Sequence, residues 1–274
     1  MQQESDPGPR RTGGLPRQIN LGHLVSAVSL AFDFAERAQL NHARRVAYLA
    51  LRLAERLGLP EAELQAILFA GLLHDVGATE HFDELQADHL SPQSAVYRHP
   101  VRGAEMVAGI PRLSAIVPII AQHHEGWAGR GYPQGLAGED ICLGARLVFL
   151  ADRFEVAYAA GGWKQGLERV ERGRGTDFQP ELTDAFLALS EVPRIRLDLE
   201  ERNAGRVIAW EVDRLAQVVV TTELPLVAEV FAALIDNRSR YTANHSRGVA
   251  EIAGRVARRM GLATTEALTV AALL

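Results

Sequence analysis

The chain has 274 residues, 47% of them hydrophobic, enough to bury a large core in one large domain or two. A formal charge of −5 excludes a global basic footprint for nucleic acid, and no uninterrupted apolar run of ~18 residues suggests a membrane span. The single cysteine, Cys142, excludes an intrachain disulfide, and no secretory leader pattern opens the sequence, so the cytoplasm is the expected compartment.

Residues 1–20 contain Pro7, Pro9, Pro16 and several glycines with few large apolar groups, and a flexible tail is expected there. From Leu21 to Gln39, Leu24, Val28, Ala31, Phe32 and Ala35 recur at helical spacing, with His23 partly exposed in the first turn. The next helix runs from Asn41, an N-cap type, to Leu57, with Gly58 as its stop. Val46, Leu49, Ala50, Leu53 and Leu57 mark its buried face, and stepping back four residues from Val46 reaches His42, which therefore points inward. A buried histidine alone is more often a satisfied core residue than a ligand.

A third helix begins at Pro60 with acids in its first turn, carries Leu64, Ile67, Leu68, Leu72 and Leu73 inward, and ends at His74-Asp75-Val76-Gly77. Asp75 lies beside the apolar face, where an unpaired carboxylate costs several kcal/mol. Residues 78–92 read as a loop or short helices, with His81 and His89 solvated. His99-Pro100 opens a further helix, with His99 on its N-cap side. After Pro111, the stripe Leu113, Ile116, Val117, Ile120 ends at His124, with His123 beside it. A loop of glycines, aromatics and proline follows, Glu125 to Pro133.

A helix from Leu143 to Ala160 places Ala145, Val148, Phe149, Asp152 and Val156 on one face, so a second acid interrupts an apolar stripe. Two buried carboxylates and a set of inward histidines are hard to neutralise without metal. Gly161-Gly162 is expected to end that helix, 168–174 to be a solvated face, and a last helix to open near Pro180 and run to Leu189. Residues 191–224 read as a linker containing one helix of uncertain ends.

An internal repeat divides the chain. Asn41-His42-Ala43-Arg44-Arg45-Val46-Ala47 recurs as Asn244-His245-Ser246-Arg247-Gly248-Val249-Ala250, an offset of 203 residues, and Gly58-Leu59 returns as Gly261-Leu262 at the same offset. Residues 225–274 are accordingly expected to form the N-terminal part of a second, related domain. His245 would then lack its partners, and no metal is assigned to it.

The ordered set His42, His74-Asp75, His99-Pro100-x-x-Gly103, His123-His124-Glu125-x-Trp127-x-Gly129-x-Gly131-Tyr132-Pro133 and Ala151-Asp152 resembles the HD-GYP family of HD-domain metal-dependent phosphohydrolases, over about residues 41–189. The resemblance implies an all-α helical bundle over 21–190 and hydrolysis of cyclic di-GMP. His42, His74, Asp75 and Asp152 would hold one metal, and Asp75 would bridge to a second held by His99, His123 and His124. His74 and Asp75 are the expected catalytic pair. Imidazole and carboxylate without thiolate suit two divalent transition metal ions, Fe, Mn, Zn or Ni, and two such ions suit in-line attack on phosphorus. Glu125 would orient a ligand histidine, while Trp127, Gly131, Tyr132 and Pro133 would form a rigid rim. Expected partners are cyclic di-GMP or a related nucleotide, the chain's own second HD-like domain, and a second copy in a homodimer. Neither a membrane nor direct nucleic-acid binding is expected.

Departures from the family pattern are equally legible. Ala78 stands where a lysine is usual, Ala128 where an acid follows the tryptophan, and Ala38 where some members place a third metal's carboxylate. The usual Arg-Pro-Tyr segment after Asp152 is missing. Two further readings therefore stay open: a non-catalytic regulatory module that binds metal or nucleotide, and an HD phosphohydrolase acting on another nucleotide.

Overall fold

The computed structural model describes residues 18–35, 41–78, 95–215, 218–236, 245–262 and 264–273. It is built almost wholly of helices: α1 (Leu21–Ala35), α2 (His42–Arg56), α3 (Glu61–Leu73), α4 (Ala95–Val107), α5 (Val117–Gln122), α6 (Leu143–Arg172), α7 (Pro180–Ser190), α8 (Pro193–Asp198), α9 (Glu201–Arg214), α10 (Leu224–Asp236), α11 (His245–Arg259) and α12 (Thr265–Leu273). Strands β1 (Gln18–Asn20) and β2 (Val218–Val220) form an antiparallel ribbon with Gln18 opposite Val220.

Two helices carry the core. In α2 the apolar stripe is flanked by arginines and acids, so Val46, Leu49 and Leu53 are buried while the other face stays polar. The helix α3 is apolar nearly all round after its acidic first turn, and Leu64 to Leu73 lie packed against α1, α2, α5 and α6. Both helices deliver their ends to one place, His42 at the start of α2 and His74-Asp75 just past the end of α3.

Four expectations differ from the fold. Residues 191–224, expected as a linker, form α8, α9 and β2, and Ile195, Leu199, Ile208, Val212 and Leu215 join the same hydrophobic cluster as α2 and α3. Most of the charge of that segment faces outward, with Glu211 a buried exception, and the segment is tied down by Tyr48 Oη donating to Asp198 at 2.7 Å and Arg45 Nε donating to the Leu199 carbonyl at 2.9 Å. Residues 18–20, assigned to the tail, are the strand that pairs with β2. The helix expected to end at Gly161-Gly162 resumes after a break at Gly162, whose φ of 83° and ψ of −177° are not helical. Leu57 and Val156, placed on buried faces, are 39% and 40% exposed: Leu57 lies just past the end of α2, and on α6 it is the neighbouring Glu155 that turns inward instead of Val156. The loop expected over 78–92, with His81 and His89, lies outside the described residues apart from Ala78.

The pair α11 and α12 repeats the geometry of α2 and α3. Both first helices span fifteen residues at the offset of 203 and end on a glycine of positive φ, 73° at Gly58 and 66° at Gly261. The bond from the Leu59 amide to the Ala54 carbonyl, 3.2 Å, recurs from Leu262 to Ala257 at 3.0 Å. Burial differs between the copies. Ile252 and Val256, equivalent to the buried Leu49 and Leu53, are 63% and 51% exposed.

Candidate metal centre

The seven histidines and aspartates expected to act together come from five helices and meet at one point. His42 opens α2 behind Asn41, which takes a left-handed conformation (φ 70°) and gives its side-chain oxygen to Arg44 Nη1 rather than to a capping bond. His74 and Asp75 follow α3 directly. His99 lies within α4, not at its start, and Pro100 is inside the same helix. Its approach depends on Gly77, where a Cβ would stand 2.2 Å from the His99 carbonyl oxygen and 2.4 Å from the Gly103 nitrogen. His123 caps the C-terminus of α5, His124 follows it, and Asp152 is buried on α6.

These residues form two groups whose ligand atoms lie within 4.8 Å of one another: His42, His74 and Asp152 in one, Asp75, His99, His123 and His124 in the other. Asp75 faces both. Its Oδ2 is 3.1 Å from His74 Nε2 and 3.7 Å from His42 Nε2, while its Oδ1 is 3.2 Å from His99 Nε2 and 3.5 Å from His123 Nε2. Asp152 Oδ1 is 3.6 Å from His42 Nε2.

The outward ring nitrogens show how such a cluster is arranged chemically. His74 Nδ1 lies 2.9 Å from the Gly71 carbonyl, His123 Nδ1 2.7 Å from the Ile120 carbonyl, and His42 Nδ1 2.5 Å from Glu155 Oε2. Each acceptor takes the Nδ1–H and turns Nε2 inward, where it can ligate a cation once any proton on it is displaced. Inward nitrogens then face each other, His42 to His74 at 3.3 Å and His99 to His123 at 3.0 Å. Lone pairs opposed at that range repel unless a proton or cation stands among them. The donor set therefore fits divalent metal.

Electrostatics divide the imidazoles. Burial pulls His42 down, but the hydrogen bond and charge of Glu155, with Asp152 and Asp75, reverse this and hold it up at about 10. Burial, with the neighbouring His99 and His74 rings, takes His123 down to about 4 against the opposing bond to Asp75. Burial and the His123, His99 and Arg153 charges put His124 well below its ordinary value. Asp75 and Asp152 stay low despite burial, the first because of His74 and the second because of Arg153 and His42.

Two supporting groups were not among the expected site residues. Glu155 is fully buried, and its carboxylate takes His42 on one oxygen and Arg45 Nη1 on the other at 3.0 Å. The signal was present: Glu155 falls three residues after Asp152, in the stripe where Val156 was assigned instead. Arg153 donates Nε and Nη2 to Asp152 Oδ2 at 3.0 and 2.6 Å. Glu125 sends its buried carboxylate to the loop: it accepts the backbone N–H of Gln134 at 2.7 Å and of Leu136 at 3.0 Å, and among the described residues it has no hydrogen bond to a ligand histidine.

That loop forms the rim. Gly131 passes so close beneath the His124–Glu125 backbone that a Cβ would sit 2.3 Å from the His124 carbonyl oxygen, and the Tyr132 amide donates to that carbonyl at 3.1 Å. The Tyr132 ring packs on His124 at 4.8 Å and on Tyr97 at 4.9 Å, and Tyr97 Oη donates to the Pro133 carbonyl at 3.2 Å. Trp127 is held by its amide to the Asp177 carbonyl at 3.1 Å, with the Arg146 guanidinium 5.5 Å from its ring.

A helical bundle closing over paired histidines and aspartates defines a class of protein, and the family model for the HD domain matches residues 32–175, more than half of the sequence. The chain belongs to the HD-domain family. It is 33% identical over 175 residues to the cyclic di-GMP phosphodiesterase response regulator RpfG of Xanthomonas campestris, covering 60% of this chain and 46% of that protein. It is 27% identical over 183 residues to a cyclic di-GMP phosphodiesterase of Thermotoga maritima, covering 62% and 50%. A 3'3'-cGAMP-specific phosphodiesterase 2 of Vibrio cholerae is 32% identical over 176 residues, covering 60% and 34%. The chain thus spans about half the length, or less, of these curated relatives. Among solved structures, a cyclic GMP-AMP-specific phosphodiesterase of V. cholerae shares the fold with a TM-score of 0.80 at 22% identity, over 93% of this chain and 70% of that one.

Proposed function

We propose that this chain is a metal-dependent phosphodiesterase of HD-GYP type whose substrate is cyclic di-GMP. The observation that carries the reading is Asp75, which turns one oxygen toward each of two histidine groups whose Nε2 atoms converge on it. His42, His74, Asp75 and Asp152 would hold one divalent ion and Asp75, His99, His123 and His124 a second, drawn from Fe, Mn, Zn and Ni. When bound, two such ions supply Lewis acidity toward phosphate oxygens and lower the pKa of a water.

The protein's own groups do the rest. The carbonyls of Gly71 and Ile120 and the carboxylate of Glu155 hold three rings in register, so little reorganisation remains when a ligand arrives. Burial of His74, His99, His123 and Asp152 excludes water from the back of the centre, leaving Asp75, 28% exposed, as its open side. The Tyr97–Tyr132 stack at the rim offers an aromatic surface for a nucleobase. The names of the relatives, cyclic di-GMP and cGAMP phosphodiesterases, support the cyclic dinucleotide class.

Ala78 favours a second reading, a regulatory module that binds ligand without turnover, because a buried methyl stands where a cation would meet developing phosphate charge. The repeated α11–α12 pair supports assigning residues 225–274 to a second HD-like domain, to which such a module would signal. One experiment separates the readings. Bound metals are quantified in purified protein, and cyclic di-GMP and 3'3'-cGAMP are followed with Mn(II) or Fe(II) for the wild type, Asp75→Ala and Ala78→Lys. Turnover by the wild type that vanishes in Asp75→Ala supports the enzyme; stoichiometric metal with no turnover until lysine is restored overturns it.

A further inference from the structure

One cation beside this centre keeps donor capacity that its ion pair does not use. Arg45 is committed to Glu155 and the Leu199 carbonyl, and Arg146 to Gln179 Oε1 and the Trp127 ring. Arg153 is placed differently. It meets the centre through one oxygen only, Asp152 Oδ2, which receives both Nε and Nη2. Nη1 has no hydrogen-bond partner among the described residues, and the side chain keeps 33% of its surface exposed beside an Asp152 that keeps 3%. Its guanidinium carbon lies 5.7 Å from the Phe149 ring, and that ring meets His124 edge-on at 5.9 Å. Arg153 therefore stands on the wall that carries His124. Its charge is felt by Asp75, His124 and Tyr132, groups contributed by three other segments.

The arrangement has two parts. Asp152 is left to face His42 with Oδ1 alone, and the guanidinium keeps a partly exposed edge near enough for its charge to reach Asp75. A guanidinium fork matches the oxygens of a phosphodiester, and a partner that holds part of the fork in place reduces the ordering cost of binding. We propose that Arg153 is a phosphate-binding residue of the centre, donating from Nη1 and its outward edge to the non-bridging oxygens of a phosphodiester at the open side. This assignment rests on the phosphodiesterase reading of the site and adds the residue that anchors its substrate's anion.

The test compares the wild type, Arg153→Met and Arg153→Lys as the full chain loaded with Mn(II). Bound manganese is measured by mass spectrometry, and affinities are measured for inorganic phosphate and for a non-hydrolysable phosphorothioate cyclic dinucleotide. Arg153→Met is expected to keep its manganese and to bind both anions about 10- to 100-fold more weakly, the loss of one charge-assisted contact; Arg153→Lys recovers part of that loss. Unchanged anion affinity in Arg153→Met overturns the proposal, as does a wild type that binds no phosphate. Manganese lost in parallel with affinity also overturns it, because Arg153 would then only position Asp152. Failure of the wild type to cleave cyclic di-GMP, with the phosphate affinities still separated by Arg153→Met, refutes the phosphodiesterase reading and leaves the anion site standing.

Discussion

Glu155 supports the first of the two histidine groups from behind, and replacing it separates the metal chemistry from the fold. Its two oxygens serve two donors, His42 Nδ1 at 2.5 Å and Arg45 Nη1 at 3.0 Å, and the side chain has no exposed surface. Glu155→Gln keeps the shape but has one acceptor oxygen and one NH2, so either His42 or Arg45 must face a donor. Leaving one buried donor unmet costs about 1–3 kcal/mol. If His42 loses the contact, its Nδ1–H tautomer is no longer enforced, and outer partners of this kind are worth ~10–100-fold in metal affinity. Glu155→Ala goes further and leaves the Arg45 guanidinium, 12% exposed, without its carboxylate. Removing one member of a buried pair costs about 3–5 kcal/mol, a Tm loss on the order of 10 °C. The assay is chelator competition for bound Mn(II) or Zn(II), beside melting curves with and without chelator. A Glu155→Gln protein that melts like the wild type and binds metal as tightly would falsify the claim that Glu155 sets the His42 tautomer.

Further outcomes follow from the same geometry. Asp75→Ala should abolish bound metal at both groups, since each loses the oxygen it shares; retention of one full equivalent per chain would argue that the groups act independently. Gly131→Ala should destabilise the rim loop by about 1–3 kcal/mol because its Cβ would enter the His124–Glu125 backbone; an unaltered Tm and metal affinity would contradict that packing. The metal-free protein should lose stability as pH rises. The His42 pKa lies above its ordinary 6.5, at about 10, so the folded state binds the extra proton; its contribution is complete below 6.5 and gone above about 10. Melting temperatures in chelator across that window should fall in the wild type and fall less in Glu155→Gln. At the acid end Asp75 and Asp152 act oppositely, and their contribution disappears as pH drops through and below the carboxylate range.

Periodicity alone placed most of the helices and pointed His42 and Asp152 inward, because an amphipathic stripe reports which face is buried without reference to any partner. It also exposed the repeat, since Asn-His-x-Arg and Gly-Leu at one offset do not arise from a generic apolar pattern. The ligand set came from resemblance to a family, and spacing by itself left His42 a satisfied core histidine as readily as a ligand. Contacts distant in sequence were decided by packing. Glu155 is an ordinary acid on a helix until α6 lies against α2 and its carboxylate meets His42, 113 residues away in sequence. The 191–224 segment reads as a linker because Pro193 and a run rich in arginine and acids interrupt its apolar pattern, and only docking against α1 and α2 shows that Ile208 and Val212 complete the core. Glu125 could be placed beside His124 from the sequence, but its partners depend on a loop that folds back to offer the Gln134 and Leu136 amides. Residue types and local faces were thus written in the chain, while the pairing of buried charges depended on which helices met, a property of the whole bundle.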